Sequence, residues 1–295
     1  MKILSLVAIT AFLIFAGCSE DSSTNPQPQN STLTLNISGL ADLGSTAKYE
    51  GWIISSDGKA KSTGVFTVDA NGKLSTTKFD VDSESLSDAT KFVLTIEPNP
   101  DSDPNPSSTH ILAGDFNSSS STLSVADGAA FGNDFTSSSG KYILATPTNG
   151  ADSDENSGIW FLDLSSGAPA KGLNLPTLPN GWKYEGWVVI NGTPVSTGTF
   201  TSTTMVDDSA PFSSTMSGPP FPGEDFLMNP PAGLSFPTNI AGGTAVISIE
   251  PSPDNSDKPF LLKPLVGSIP SNATDHSNYS MGLNLASFPT GTATR

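Results

Sequence analysis

The chain has 295 residues, of which 36% are hydrophobic and 14% are charged, so it is long enough to bury two cores of ordinary size. Its 13 Lys and Arg residues are outnumbered by 29 Asp and Glu residues, which argues against a nucleic-acid partner because a phosphate backbone is bound by clustered cations. The 27 Gly and 24 Pro residues supply turns between short strands rather than long helices. The composition therefore predicts an all-β protein.

The N-terminus has the pattern of a lipoprotein signal peptide over residues 1–17. Lys2 supplies a positive charge, Ile3 to Phe15 form an apolar run, and Ala16-Gly17 precede Cys18. The run is shorter than the about 20 apolar residues that a membrane-spanning helix needs, and it suits the apolar region of a secretory signal. Its resemblance to bacterial lipoprotein signals implies lipidation of Cys18. The alternative is that Cys18, the single cysteine, is a buried free thiol.

Residues 18–31 are polar, contain two prolines and offer nothing to bury, so we predict a flexible tether. Ser19, after the cysteine, resembles the signal that sorts lipoproteins to the outer membrane, and Glu20-Asp21 resemble an acidic surface-export signal. We therefore expect a membrane-anchored lipoprotein of the bacterial cell envelope, at the outer membrane or cell surface rather than the inner membrane. The membrane is contacted through the lipid alone.

Two stretches of the chain have nearly the same sequence, which indicates a duplicated unit. Residues 48–54 match residues 183–189, residues 62–67 match residues 196–201, and the segment from residue 96 to residue 114 matches that from 249 to 267 without a gap. A residue that occurs at the same position in both copies is best explained by a structural role that both copies share. The repeated motif residues are therefore predicted to be structural: Tyr49, Trp52, Glu97, Tyr184, Trp187 and Glu250.

The elements predict two tandem β-sandwich domains of the immunoglobulin-like (Ig-like) kind. Residues 32–117 contain short alternating segments separated by turn signals such as Asp57-Gly58 and Asn71-Gly72. Residues 118–140 are rich in Ser and Gly and are predicted to be a linker with one short strand. Residues 141–295 form the second predicted domain, and we expect each domain to fold alone.

The second unit is about 18 residues longer than the first between Thr201 and Gly243, and this insertion is dense in Pro and Phe. Such a segment is predicted to be a rigid ledge over the edge of the sheet, where its Phe residues are buried. The alternative is an exposed contact surface.

Together these motifs resemble the extracytoplasmic C-terminal domain of anti-sigma-K factors. The resemblance covers residues 33–116 and 159–267: a Leu-rich entry, Tyr-x-x-Trp, Ser-Thr-Gly-x-Phe and a strand ending in Glu-Pro. It implies a binding or sensing module outside the cytoplasm. Anti-sigma-K factors also have a cytoplasmic sigma-binding domain and a membrane-spanning helix, and neither part is recognisable in this sequence. We therefore expect no direct contact with a sigma factor and, instead, an envelope protein or another ligand as the partner.

The sequence predicts no catalytic residues. A serine hydrolase needs a histidine base, and the two histidines are His110, in a predicted strand, and His276, beside Asp275 in a loop. We interpret the latter two as a surface pair. The alternative function is a secreted hydrolase or carbohydrate-active envelope protein, which would require clustered acids or a histidine in a cleft.

Metal binding is the one cofactor hypothesis from the sequence. Asp152, Asp154 and Asn156 alternate as oxygen ligands do in a calcium loop, and Asp163 stands where the last ligand would fall. The alternative is a series of acidic Asx turns, in which the side chain accepts a backbone N–H two residues on. If calcium binds here, its role is to rigidify the loop.

Overall fold

The chain folds into two large antiparallel β-sheets with little helix. The computed structural model describes residues 29–254 and 256–295. The predicted signal peptide (residues 1–17), Cys18 and most of the predicted tether lie outside the described residues. The prediction of an all-β protein is confirmed.

The first sheet has eight strands, and its spatial order is β3-β2-β5-β6-β7-β19-β1-β4. Seven of these strands come from the N-terminal part of the chain, and the eighth is the last strand of all. Their bounds are β1 (Asn30–Ser38), β2 (Ala47–Ser55), β3 (Ala60–Phe66), β4 (Lys78–Asp82), β5 (Ala89–Pro98), β6 (His110–Asn117), β7 (Ser120–Leu123) and β19 (Thr290–Thr294).

The second sheet has nine strands in the order β14-β13-β16-β17-β18-β8-β9-β15, with β12 paired to β8 off this path. A separate ribbon is formed by β10 and β11. The bounds are β8 (Ser139–Leu144), β9 (Gly158–Trp160), β10 (Leu162–Asp163), β11 (Ala170–Lys171), β12 (Leu173–Asn174), β13 (Trp182–Ile190), β14 (Thr193–Phe200), β15 (Gly223–Asp225), β16 (Thr244–Pro251), β17 (Leu265–Ser268) and β18 (Tyr279–Leu283).

Helical structure is limited to short segments. The one α-helix of the described residues, α1 (Ser83–Asp88), is capped by Asp82, whose Oδ1 accepts the backbone N–H of Ser85 at 2.9 Å. Single 3-10 turns lie at Pro147–Asn149, Glu155–Ser157 and Leu285–Ser287.

The duplication predicted from the sequence is visible in the strand register. Tyr49 on β2 lies opposite Ile96 on β5, as Tyr184 on β13 lies opposite Ile249 on β16. Gly51 and Gly186 stand at the middle of these strands, and a β-bulge follows each of them. A Cβ atom at either glycine would overlap a threonine hydroxyl and a phenylalanine ring, so the repeated sequence meets the same packing need twice.

The last strand of the chain pairs in the first sheet. β19 lies between β7 and β1, and Ala293 is opposite Leu35 on one side and Ser121 on the other. The predicted range 141–295 therefore includes a strand of the first sheet, and the predicted linker 118–140 supplies β7. Alternation along a strand shows which face is buried, but it does not show which sheet the strand joins.

One continuous hydrophobic core runs through both units. Phe131 and Phe135, from the predicted linker, are buried and pack 5.8 Å apart between ring centroids. Phe131 contacts Trp182 of the second unit at 4.8 Å, and Phe135 contacts Phe288 at 5.3 Å, just before β19. The segment between the units is therefore a packed aromatic bridge.

Deleting residues 290–295 is expected to destabilise the protein by several kcal/mol. The deletion removes a strand that pairs with β1 on one side and with β7 on the other, and each ladder hydrogen bond contributes about 1 kcal/mol. Thermal and urea unfolding of the full chain and the truncated chain measure this effect.

The control variant is Arg295→Ala, which keeps the strand but removes a guanidinium that donates to the carbonyls of Leu86 and Ala89 at 2.5 and 2.7 Å. We expect a smaller loss from it. An unchanged unfolding midpoint after the deletion would contradict a structural role for β19.

Candidate functional site

Two buried glutamates lie side by side on one face of the second sheet. Glu185 on β13 is opposite Ser248 on β16, so Glu250, two residues further along β16, is its diagonal neighbour on the same face. Glu185 is 5% exposed and Glu250 is 1% exposed. Trp187 shares this face, and its Nε1 donates to Ser248 Oγ at 2.8 Å.

Each glutamate has one oxygen bound by a protein donor and one that is free. The Ser196 hydroxyl donates to Glu185 Oε1, and the Phe260 backbone N–H donates to Glu250 Oε1 at 2.8 Å. Glu185 Oε2 and Glu250 Oε2 are buried and have no hydrogen-bond partner among the described residues. Buried polar atoms normally have a partner, so two free carboxylate oxygens in one place require an explanation.

Asp254, in the loop after β16, completes a cluster of three acids. It is partly buried, and its Oδ1 accepts the backbone N–H of Ser256 at 2.8 Å. One ligand oxygen from each of Glu185, Glu250 and Asp254 lies within 4.8 Å of the others. In the part of the chain that the structure describes, no other group of three or more His, Cys, Asp or Glu residues meets this distance.

Burial makes the carboxyl groups of Glu185 and Glu250 titrate near neutrality. Burial, together with the nearby Glu250 and Asp254, raises the pKa of Glu185 to about 8 against the lowering by the Ser196 hydroxyl. Burial likewise raises the pKa of Glu250 to about 7, against the lowering by Ser248 and by the Phe260 N–H. The cluster can therefore hold either protons or a cation.

The first unit has the same acids without the same cluster. Glu50 and Glu97 correspond to Glu185 and Glu250, and Asp101 corresponds to Asp254. Oε1 of Glu97 accepts the Ser107 backbone N–H at 2.9 Å and the Thr95 hydroxyl. No buried oxygen of Glu50 or Glu97 lacks a partner, within the described residues.

A cleft of about 790 Å³ lies between the two units, lined by their equivalent loops. Its acidic lining residues include Glu97 of the first unit and Glu250 of the second, and the apolar ones include Ile96 and Phe260. The described residues of the lining include no Lys or Arg. The other acids of the lining are Asp42, Asp254 and Asp257.

The predicted calcium ligands are only partly brought together. Asp152, Asp154 and Asn156 line an open pocket of about 410 Å³, whereas Asp163 does not. The Asp163 carboxylate binds Lys141 Nζ at 2.6 Å because the chain leaves the pocket along β9 before it reaches β10.

The similar alternation at Asp101, Asp103 and Asn105 forms Asx turns. The backbone N–H of Asp103 donates to Asp101 Oδ1 at 2.9 Å, and that of Asn105 donates to Asp103 Oδ1 at 3.0 Å. The backbone and side-chain N–H groups of Asn105 lower the pKa of Asp103. This loop therefore consists of acidic Asx turns, which are the alternative to a calcium-binding loop.

The two histidines lie away from the cleft. His110 begins β6, and its Nδ1 is 2.7 Å from the carbonyl oxygen of Ala129. His276 is exposed, and its Nδ1 is 3.2 Å from Asp275 Oδ1. His276 and Asp275 therefore form a pair on the surface of the molecule.

The Pro- and Phe-rich insertion is packed on itself and on the second sheet. Phe226 is fully buried, and its ring lies 6.1 Å from that of Phe212 and 5.5 Å from that of Phe236. The insertion also supplies β15, which pairs with β9. Its aromatic residues therefore form a ledge at the edge of the sheet, while Met205, Met216 and Met228 remain exposed.

A second set of buried acids lies under this ledge. Asp225 is fully buried and accepts the Thr148 backbone N–H and Trp160 Nε1, each at 2.8 Å. Glu224 is also fully buried, and burial raises its pKa to about 8, while burial raises the pKa of Asp207 to about 7.

Comparisons of the chain with protein-family models, with curated proteins and with solved structures found no match. The resemblance to anti-sigma-K factors therefore depends on the sequence motifs alone. Among the described residues, no helix has both the length and the hydrophobicity needed to cross a membrane.

The sequence motif predicts a structural role for Glu250 and does not reveal the cluster around it. Its backbone contact to Phe260 agrees with that interpretation, but the approach of Glu185 and Asp254 depends on strand pairing and on the fold of the following loop. The spacing of these residues is a sequence signal for part of the cluster. Glu185 and Trp187 are two positions apart, as are Ser248 and Glu250, and residues two apart on a strand point to the same face. Once β13 and β16 are paired, all four lie on one face.

The protein is expected to lose stability as the pH rises from about 5 to 9. Glu224 has a folded pKa of about 8 against an ordinary value of 4.5, so the folded state keeps a proton that the unfolded chain releases. Its contribution is complete below the ordinary value and is lost as the pH rises through the folded value. Urea unfolding in the presence of a chelator measures this slope.

Glu224→Gln is expected to flatten the pH dependence, whereas Glu84→Gln, on an exposed residue of α1, should leave it unchanged. Equal slopes for the wild type and Glu224→Gln would show that Glu224 ionises normally in the folded protein.

Proposed function

We propose that the protein is a lipid-anchored extracytoplasmic binding module that holds a small cationic ligand in the cleft between its two units. The observation that carries this proposal is the acidic cleft of about 790 Å³, to which both copies of the repeat contribute. Its volume lies within the range of about 300–1,000 Å³ that is usual for small-molecule sites.

The chemistry of the lining favours a cation with an apolar portion. Glu97 and Glu250 are buried in the walls, and Asp42 and Asp257 are exposed on the same cleft. With no described Lys or Arg in the lining, these acids attract positive charge and repel anions. Ile96, Leu43 and Phe260 supply apolar surface beside them.

The proposed module is anchored outside the cytoplasm and resembles a known family of extracytoplasmic domains. The residues around Cys18 support a lipid anchor at the outer membrane or cell surface, with residues 1–17 removed. The motif resemblance supports two Ig-like sandwich units similar to the C-terminal domains of anti-sigma-K factors. A module in this location acts on a ligand or an envelope protein and does not contact a cytoplasmic sigma factor.

Cys18→Ser is expected to abolish lipidation. A thioether needs the cysteine sulfur, so the variant should remain an unprocessed precursor that takes up no labelled palmitate in growing cells. A conservative change at another position of the tether, Ser22→Ala, serves as the control and should be processed normally. Palmitate incorporation into the Cys18→Ser chain would refute the anchor.

The cleft is tested by calorimetric titration of the purified protein with spermidine as the cationic probe. The double variant Asp42→Asn, Asp257→Asn should bind it roughly tenfold more weakly, since each exposed charge contributes about 0.2–1 kcal/mol. The difference should shrink at high salt because salt screens exposed charges.

The matched control is Asp80→Asn with Glu84→Gln, which removes the same number of exposed charges from outside the cleft. It should bind spermidine as the wild type does. Equal affinities for both double variants, or no binding by the wild type, would contradict a cationic ligand in the cleft.

A further inference from the structure

We propose that Glu185, Glu250 and Asp254 bind a divalent cation of the calcium type in the wall of the cleft. This site does not depend on whether the cleft also holds a larger ligand. It differs from the loop of Asp152, Asp154 and Asn156 that the sequence suggested.

The spacing of the three carboxylates suits one shared ion. Calcium binds oxygen ligands at about 2.3–2.6 Å, so two oxygens on opposite sides of the ion lie up to about 4.6–5.2 Å apart. The three oxygens of the cluster lie within 4.8 Å of one another. One ion can therefore contact all three residues without a large rearrangement of the backbone.

The unpaired oxygens supply an independent reason for a ligand. Glu185 Oε2 and Glu250 Oε2 are buried, and no described protein group donates to either of them. A buried carboxylate without a partner destabilises the folded state, and a divalent ion would offset that destabilisation for both glutamates at once. Lys263 acts on Glu250 through its charge alone, since its Nζ donates to the Phe260 carbonyl at 2.6 Å.

The position of the cluster allows an ion to enter. Glu250 and Asp254 line the open cleft, whereas Glu185 lies behind them on β13. Water from the cleft can supply the remaining ligands, since calcium takes six to eight oxygens and accepts water among them. The site thus has an entry path as well as ligands.

The first unit supplies a matched comparison within the same molecule. Glu50, Glu97 and Asp101 occupy the equivalent positions, but they do not form a cluster of the same size, and Asp101 is exposed. The Thr95 hydroxyl and the Ser107 backbone N–H both donate to Glu97. Among the described residues, the difference is that Glu185 Oε2 and Glu250 Oε2 are buried without a partner, whereas no buried oxygen of Glu50 or Glu97 is.

Calorimetric titration of the chelator-treated full chain with CaCl2 tests the site. We expect one equivalent of calcium to bind and the thermal midpoint to rise with calcium concentration, as linkage requires. Asp254→Asn and Glu250→Gln should each weaken binding by roughly tenfold or more, since affinity follows the charge of the ligand set. Asp101→Asn, the change in the first unit that is equivalent to Asp254→Asn, should bind as the wild type does.

Folding defects do not obscure the result. Asp254 is a partly buried loop residue, and Glu250→Gln keeps a carbonyl oxygen to accept the Phe260 N–H, so thermal unfolding in chelator should show both variants folded. A wild-type chain that gains stability on acidification but shows no response to calcium would indicate that the cluster holds protons only. That outcome, or loss of calcium binding in Asp152→Asn, Asp154→Asn but not in Asp254→Asn, would overturn the proposal.

Discussion

The central strands of both units are buried on both faces, and this constraint shapes the rest of the structure. On β13 and β16, Tyr184, Ile247 and Ile249 face the main hydrophobic core. The opposite face carries Glu185 and Glu250, which are just as deeply buried. Charged groups on a buried face need partners, so every loop that covers this face has to supply donors, counter-charge or access for a ligand.

The two copies of the repeat meet this need in different ways. In the first unit, Thr95 stands opposite Glu50 and both binds Trp52 Nε1 at 2.9 Å and donates to Glu97. In the second unit, Ser248 takes that place and binds Trp187 in the same manner, while Asp254 approaches the glutamates instead of turning away. Small differences in the loop after the Glu-Pro motif therefore separate a self-contained polar network from an acidic cluster open to the cleft.

The cleft exists because the two units are held together by more than a linker. Phe131 and Phe135 join the cores of both units, and Gly181, just before β13, approaches so closely that a Cβ atom there would overlap Ser108 of the first unit. The C-terminal strand β19 then returns to the first sheet, where it pairs with β1. Such a connection limits relative motion of the units. A binding site between repeats benefits from this rigidity because less conformational entropy is lost when a ligand binds.

The sequence by itself determined the fold class, the duplication and the turn positions. Turn positions follow from local sequence: in the predicted Asp57-Gly58 turn between β2 and β3, Gly58 has a φ of 83°, which glycine adopts without steric cost. The repeated Tyr, Gly and Trp residues likewise report the same strand geometry in both units. Only the tertiary structure decided that β19 enters the first sheet, that Asp163 leaves the predicted calcium loop for Lys141, and that Glu185, Glu250 and Asp254 meet. Each of these outcomes depends on pairing between segments far apart in the chain, and strand periodicity carries no information about which distant segment becomes the neighbour.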